Sequence, residues 1–191
     1  MTSKVEICNL ALLQIGEDTI TNLHEKSKAA RVCHVLYAPS RDAVLESFPW
    51  SFALQRQTLA LLAESAPLPW AYAYQRPIDC LRSEEILPTR PDKPVLFAVE
   101  GDKVLTDQAG AVLLYVRSID DPALFSAQFV QALSWYLAGK LAIPLTGDEA
   151  KARLCLQMYG AVVQEARTIQ ANQGHHLSQP LPPWIAARSR G

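Results

Sequence analysis

The chain has 191 residues, which is enough for one domain with a substantial apolar core. Hydrophobic residues make up 49% and charged residues only 19%, against a usual level of about 25% charged. The low charge indicates either a surface partly covered by a partner or ordinary compositional scatter. The formal net charge of −1 excludes a protein built around a dense basic face for gripping nucleic acid.

The cysteines and the absence of targeting signals indicate a protein made in the cytosol. Cys8, Cys33, Cys80 and Cys155 lie far apart with no Cys-x-x-Cys pair, so we predict buried free thiols. The first residues lack the pattern of a signal peptide, and no stretch approaches the roughly 20 apolar residues of a membrane span. We therefore expect a soluble protein without membrane contact.

The first predicted helix covers residues 3–15. Ser3 can cap its start with Glu6 at capping-box distance, and Gly16 can close its end. Apolar residues occur around most of its circumference. Such a helix is buried on several sides, or it lies against a neighbouring subunit.

A second helix is predicted over residues 27–48. Its apolar residues recur at helical spacing; they are Ala29, Val32, Cys33, Leu36, Ala43, Val44 and Phe48. Pro39 should kink or split this helix, and Pro49 should end it. Arg41 and Asp42 are read as part of a solvated face, with an ion pair between subunits as the alternative.

Residues 50–119 read as a small, mainly antiparallel sheet inserted between helices. Candidate strands show alternation or apolar runs; they are 50–62, 70–75, 80–87, 95–100, 103–106 and 111–119. Gly101 and Asp102 have the spacing of a tight hairpin turn. The most apolar candidate, 111–119, is the predicted central strand.

Two helices are predicted to close the domain, at about 122–143 and 147–171. Pro122 should occupy the first turn of one, and Pro144 should stop it. The predicted inward residues of the last helix are Leu154, Met158, Ala161, Val162, Ala166 and Ile169. The predicted fold class is α+β, mainly α: a bundle of about four helices with an inserted sheet, forming a single domain over 1–172.

The segment 173–191 is predicted to be an extended C-terminal arm. It carries Pro180, Leu181, Pro182, Pro183, Trp184 and Ile185. A proline-rich arm loses less entropy on binding, because its backbone is already restricted. We predict that these six residues dock into a groove on another chain; a floppy terminus is the alternative.

No motif predicts catalysis, a cofactor or a metal. His175 and His176 lack a nearby carboxylate or cysteine, and the glycines never form a phosphate loop. Four acidic pairs occur, and helix caps or solvated turns explain them better than a glycosidase pair; they are Glu17–Asp18, Glu84–Glu85, Asp120–Asp121 and Asp148–Glu149. The aromatic residues at strand spacing favour core filling over a stacking platform for sugars or bases.

An ordered series of short pieces resembles one known family, the tail tubular protein A family of short-tailed bacteriophages. In chain order the pieces are Cys-Asn-Leu-Ala-Leu-Leu-Gln-Ile-Gly-Glu at 8–17, Ile-Thr-Asn-Leu at 20–23, Ala-Arg-Val-Cys at 30–33, Tyr37 with Arg41 and Asp42, Phe-Pro-Trp-Ser-Phe-Ala at 48–53, Tyr-Ala-Tyr at 72–74 before Pro77, Asp-Cys-Leu at 79–81, and the closing helices from 129 to 167. The series covers nearly all of the chain up to about residue 172. Pro-Trp-x-Phe-Ala is its most specific part.

The resemblance implies a head-to-tail adaptor, which is a structural virion protein and not an enzyme. Members form a ring, usually of about twelve subunits, between the portal protein of the head and the nozzle protein of the tail. Double-stranded DNA passes through the ring without specific binding. The implied location is the neck of the virion after synthesis in the host cytoplasm. Two other hypotheses stay open: an enzyme degrading cell-surface carbohydrate through a carboxylate pair, and a module binding a small ligand.

Overall fold

The computed structural model describes residues 2–89 and 94–173, and the side chains of residues 2–89 and 94–170. Four α-helices and six strands follow one another in this part of the chain. They are α1 (Lys4–Ile15), α2 (Lys28–Ser47), β1 (Leu54–Thr58), β2 (Tyr72–Gln75), β3 (Cys80–Ile86), β4 (Phe97–Glu100), β5 (Lys103–Thr106), β6 (Val112–Arg117), α3 (Ala127–Thr146) and α4 (Glu149–Gln173). The predicted α+β class, mainly helical with a strand-rich insertion, is confirmed.

Helix α1 has the termini that the sequence predicts. The Glu6 amide donates to the Ser3 hydroxyl, and the Glu6 carboxylate accepts from the Ser3 amide, both at 3.1 Å. Gly16 ends the helix in the left-handed conformation at φ 78°, where a side chain would be strained. Local capping chemistry is therefore sufficient to set both ends of α1.

Two prolines that the sequence analysis treats as breaks lie inside continuous helices. Helix α2 runs through Pro39, and α3 runs through Pro144 to Thr146 before Gly147 caps it. Both prolines are exposed, as are the residues four positions earlier, whose carbonyls lose their helical partners. Water can solvate those carbonyls on the outer side of each helix, so the predicted split at Pro39 and stop at Pro144 are wrong. The kink predicted as the alternative at Pro39 stays a prediction.

The third helix also begins later than predicted. Asp121 caps a short 3-10 turn at Pro122–Leu124, and α3 starts only after Ser126, whose hydroxyl accepts from the Phe129 amide at 3.2 Å. At α4 the Asp148 carboxylate accepts from the amides of Ala150 and Lys151 at 2.8 and 3.0 Å. Both helices thus have side-chain N-caps.

The strands form two antiparallel three-stranded sheets, where the sequence predicts one. Their strand orders are β1-β6-β3 and β2-β5-β4, and β6 is central as predicted. Two register shifts in β3 disrupt its ladder, and an isolated bridge between Ile86 and Val95 joins it to the second sheet. The tight turn at Gly101, with φ 61°, connects β4 to β5 as predicted.

The predicted strand at 50–62 is mostly wrong. Residues Ser51–Ala53 form a 3-10 turn, in which the Ala53 amide donates to the Trp50 carbonyl at 2.8 Å, and β1 covers only five residues. Trp50 packs edge-on against Phe48 and Phe129 instead of continuing the strand. Tertiary packing of this indole against the helices outweighs the local alternation of residues 50–55.

Helix α3 lies at the centre of the larger hydrophobic core, because α1, α2 and α4 all pack against it. Val116 of β6 joins the first sheet to this core. A smaller core around Tyr74, Leu113 and Tyr115 lies among the strands. Within residues 2–89 and 94–173, no helix is long and apolar enough to cross a membrane.

Candidate assembly surface

Helix α1 leaves an apolar stripe uncovered on the side opposite the core. Leu10 and Leu13, which are neighbours on one helix face, are 42% and 61% exposed. Ile7, Cys8 and Leu12 are fully buried on the inner side. We call Leu10 and Leu13 the α1 stripe. Its two leucines show that residues 2–89 and 94–173 bury only part of a helix that is apolar almost all round.

Helix α4 carries a second uncovered stripe, which corrects the predicted inward face. Leu154 and Met158 are 56% and 38% exposed, and Ala161, one turn further on, is exposed as well. The buried residues of α4 are Ala152, Cys155, Val162, Val163 and Ala166. We call Leu154, Met158 and Ala161 the α4 stripe. The apolar arc of α4 is wider than the surface that α3 covers.

Charged residues of both signs lie near the two stripes. Glu6 lies one turn before the α1 stripe on the same helix face. Lys151 precedes the α4 stripe and donates to the Ile15 carbonyl at 2.8 Å, and Glu165 lies one turn after that stripe. The two surfaces are therefore apolar, with acidic and basic residues both close to the α4 stripe.

Arg41 and Asp42 form a network within one chain, and the burial of Arg41 shows that its predicted place on a solvated face is wrong. The alternative, an ion pair between subunits, stays a prediction. Arg41 is only 6% exposed; it contacts Asp120 and donates to Asp42 at 3.0 Å. The Ser118 hydroxyl donates to Asp42, also at 3.0 Å. Lys4 lies 2.7 Å from Asp120, and this ammonium, with Arg41 adding to it, lowers the pKa of the Asp120 carboxyl. The network links α1 and α2 to the end of β6.

The four cysteines are buried and free, as predicted. Cys8 of α1 lies against Cys33 of α2, and the hydrogen bond between the thiols together with burial raises the pKa of Cys8. Burial also raises the pKa of the neighbouring Tyr37. These thiols behave as small core residues and not as exposed nucleophiles.

Three of the four acidic pairs, Glu84–Glu85, Asp120–Asp121 and Asp148–Glu149, contribute a helix cap or an ion-pair partner. Asp121 and Asp148 cap helical turns, and Glu84 accepts from Arg82 at 2.8 Å. Among the residues that the structure describes, no cluster of three His, Cys, Asp or Glu could hold a metal ion. His175 and His176 lie outside the described residues.

The aromatic residues of the strand region mainly fill cores. Trp50 and Tyr74 are buried, and Tyr72 stacks beside Tyr74 with ring centroids 6.2 Å apart. This confirms core filling for Trp50 and Tyr74, since neither ring face is open to a ligand.

An open cleft of about 710 Å³ lies between the two sheets. Gln57, Arg76, Ile78 and Asp102 are among its lining residues. The Arg76 guanidinium is already engaged, donating to the carbonyls of Cys80 and Leu81 at 2.8 and 2.9 Å. Its polar lining consists of the side-chain amides of Gln57 and Gln75, the Arg76 guanidinium, the Cys80 thiol and the Asp102 carboxylate.

The predicted interface of the arm, Pro180 to Ile185, lies outside the described residues. Sequence reasoning also missed the α4 stripe, because the apolar spacing of a helix does not say how much of that face a neighbouring helix covers.

No protein-family model matches the chain, and no curated protein matches it at a significant level.

Proposed function

We propose that the protein is a head-to-tail adaptor of a virion. Copies form a ring, of about twelve subunits in the family that the sequence resembles, between a portal protein and a tail nozzle protein. The ring surrounds the channel through which double-stranded DNA leaves the head. The protein acts by assembly and not by catalysis.

One observation carries this proposal: two apolar stripes on different outer helices are left open by the residues that the structure describes. A closed ring needs two distinct complementary surfaces on each subunit, because each copy contacts two neighbours through different faces. The α1 stripe and the α4 stripe are two such surfaces, because they lie on different helices and consist of different apolar residues. Contiguous apolar surface of this kind is typical of interaction sites.

The charge of the chain also supports a conduit. Each phosphate contact strengthens binding to DNA, and a ring multiplies any contact by its number of subunits. A net charge of −1, with 18 basic and 19 acidic residues, provides no dense basic lining. DNA can then pass without being arrested. Arms reaching from Pro180 to Ile185 onto the portal would add contact area outside the described part of the chain.

The test is electron microscopy of the protein mixed with portal rings of the same virion. Wild-type protein should add a ring of density beneath the portal. The variants Leu13→Glu and Leu154→Glu should abolish it, because a carboxylate buried in an apolar interface costs several kcal/mol unless it is paired. Circular dichroism should show the helices unchanged, since both positions are exposed.

Ile78→Glu is the matched control. Ile78 is a fully exposed apolar residue in the loop before β3, away from both helical stripes. This variant should form the same portal-bound ring as the wild type. Absence of wild-type rings on portals would refute the adaptor, and normal rings from both stripe variants would refute the assembly surface.

A further inference from the structure

A small groove lies where the helices meet the first sheet. We call it the junction groove; its lining residues are Pro49, Leu54, Glu84, Glu85, Leu114 and Gln170. Its volume is about 280 Å³, below the roughly 300–1,000 Å³ of ordinary small-molecule pockets. A site of this size suits one large side chain and its neighbour rather than a free ligand.

The floor of the groove is apolar because the sheet extends beyond the helices that cover it. Leu114 and Val116 lie on the same face of β6, and Leu54 of β1 is paired opposite Val116. Val116 is fully buried under the helices, whereas Leu54 and Leu114 are only half-buried. The covered face of the sheet therefore continues into an open apolar surface.

The C-terminus of the described chain lies at the edge of this groove. The side-chain amide of Gln170 donates to the Pro49 carbonyl at 3.1 Å, and α4 ends three residues later at Gln173. Residues 174–183 can span up to about 33 Å at about 3.3 Å per residue. That length is ample for the chain to turn back and place residue 184 in a groove that begins at Gln170.

The chemistry of the arm matches the chemistry of the groove. Trp184 and Ile185 are its largest apolar pair, and Arg188 and Arg190 follow. Glu85 is exposed and forms no ion pair within the residues that the structure describes, whereas Glu84 forms an ion pair with Arg82. A basic end after an apolar pair is complementary to an apolar floor beside two carboxylates.

We propose that the C-terminal arm docks into the junction groove of its own chain, with Trp184 and Ile185 on the floor and the terminal arginines beside Glu85. The inference does not rest on the proposed function. If both hold, the docked arm is a stored conformation that the portal must displace before the arm can engage it. The arm would then be withheld from other partners until the portal is present.

The test uses the full-length protein labelled with 5-fluorotryptophan and followed by fluorine NMR, with no portal present. Trp184→Phe identifies the Trp184 resonance, and the urea-unfolded protein supplies its free position. In the folded protein this resonance should differ from the free position. Ile185→Asp and Glu85→Lys should each return it there, and Ile185→Asp cannot unfold the domain, since it lies beyond α4.

Asp18→Lys is the matched control for charge reversal, because Asp18 is an exposed acidic residue in the loop after α1. It should leave the Trp184 resonance unshifted. The proposal would be overturned if the Trp184 resonance of the folded wild type lay at its free position. It would also be overturned if that resonance were shifted but moved in neither Ile185→Asp nor Glu85→Lys. A resonance that moves to the free position on dilution would overturn docking within the chain and identify the groove of a second copy as the site.

Discussion

Helices α1 and α3 have similar apolar sequences but occupy different regions of the molecule. Both carry apolar residues around most of their circumference. Three helices surround α3 and bury Phe129, Leu133, Leu137 and Leu141 completely. Helix α1 lies at the edge of the bundle, so the same kind of sequence leaves Leu10 and Leu13 in contact with water.

The comparison shows that a helix with apolar residues all round its circumference is predicted to be buried on all sides. The pattern does not say whether the same chain or a neighbouring molecule covers those sides. For α3 the other three helices provide this burial along most of its length, although Ile143 near its end is 55% exposed. For α1 the chain supplies a partner on one side only, and exposed leucines remain that a packed ring of copies would cover. The predictions below measure how far this contrast between the two helices holds.

The largest expected effect comes from the same substitution made in both helices. Leu137→Ala should lower the free energy of unfolding by about 2–5 kcal/mol, since it opens a cavity in the central helix. Leu13→Ala should change it by no more than about 0.5 kcal/mol in the dispersed chain. Urea denaturation of both variants measures the difference. Equal losses would mean that α1 is buried as deeply as α3.

A glycine pair sharpens the contrast at the contact of α3 with α4. A Cβ at Gly139 would lie 2.9 Å from two carbons of Leu156, so Gly139→Ala should destabilise the protein by about 1–3 kcal/mol, less the gain in helix propensity.

Gly160, in α4, is the matched control because a Cβ there meets no atom within 4 Å. Gly160→Ala should stabilise the protein by about 0.4–1 kcal/mol. Thermal unfolding of the two variants should therefore shift in opposite directions. A stable Gly139→Ala protein would show that α3 and α4 are not closely packed at this point.

The smallest expected effect on stability comes from the ion pair between Lys4 of α1 and Asp120. The lowered pKa of Asp120 means that its contribution to stability is fully present above its unfolded value of about 3.9 and is lost as the pH falls through the folded value. Asp120→Asn should cost about 0.2–1 kcal/mol at neutral pH, because the carboxylate is largely exposed. The urea midpoints of variant and wild type should begin to converge below about pH 3.9 and meet only below the lowered folded pKa of Asp120. A constant gap would exclude this linkage.

Local signals in the sequence predicted much of the fold. The capping box at Ser3 and Glu6, the stop at Gly16 and the hairpin at Gly101 each depend on residues close in the chain, and each is confirmed. Strand 103–106 has the predicted bounds, and β6 is central as its apolar run indicated. The adaptor function, the ring and the arm interface stay predictions.

Other features depended on which side of an element faces water. Pro39 and Pro144 are tolerated because each lies on an outer face, and a list of residues does not say which face is outer. Arg41 reads as a surface residue, yet it is buried because Asp120, distant in the chain, lies beside it. On α4 the assignment of Leu154 and Met158 failed for the same reason.

The sequence by itself determined the class of fold, the order of helices and strands, and most helix ends, because caps, turns and periodicity act over a few residues. Only the tertiary structure decided that the strands separate into two sheets, that α3 is central, and that the outer faces of α1 and α4 remain open. Those outcomes depend on how distant segments share a limited amount of covering surface. No local sequence pattern specifies which distant segment covers which surface.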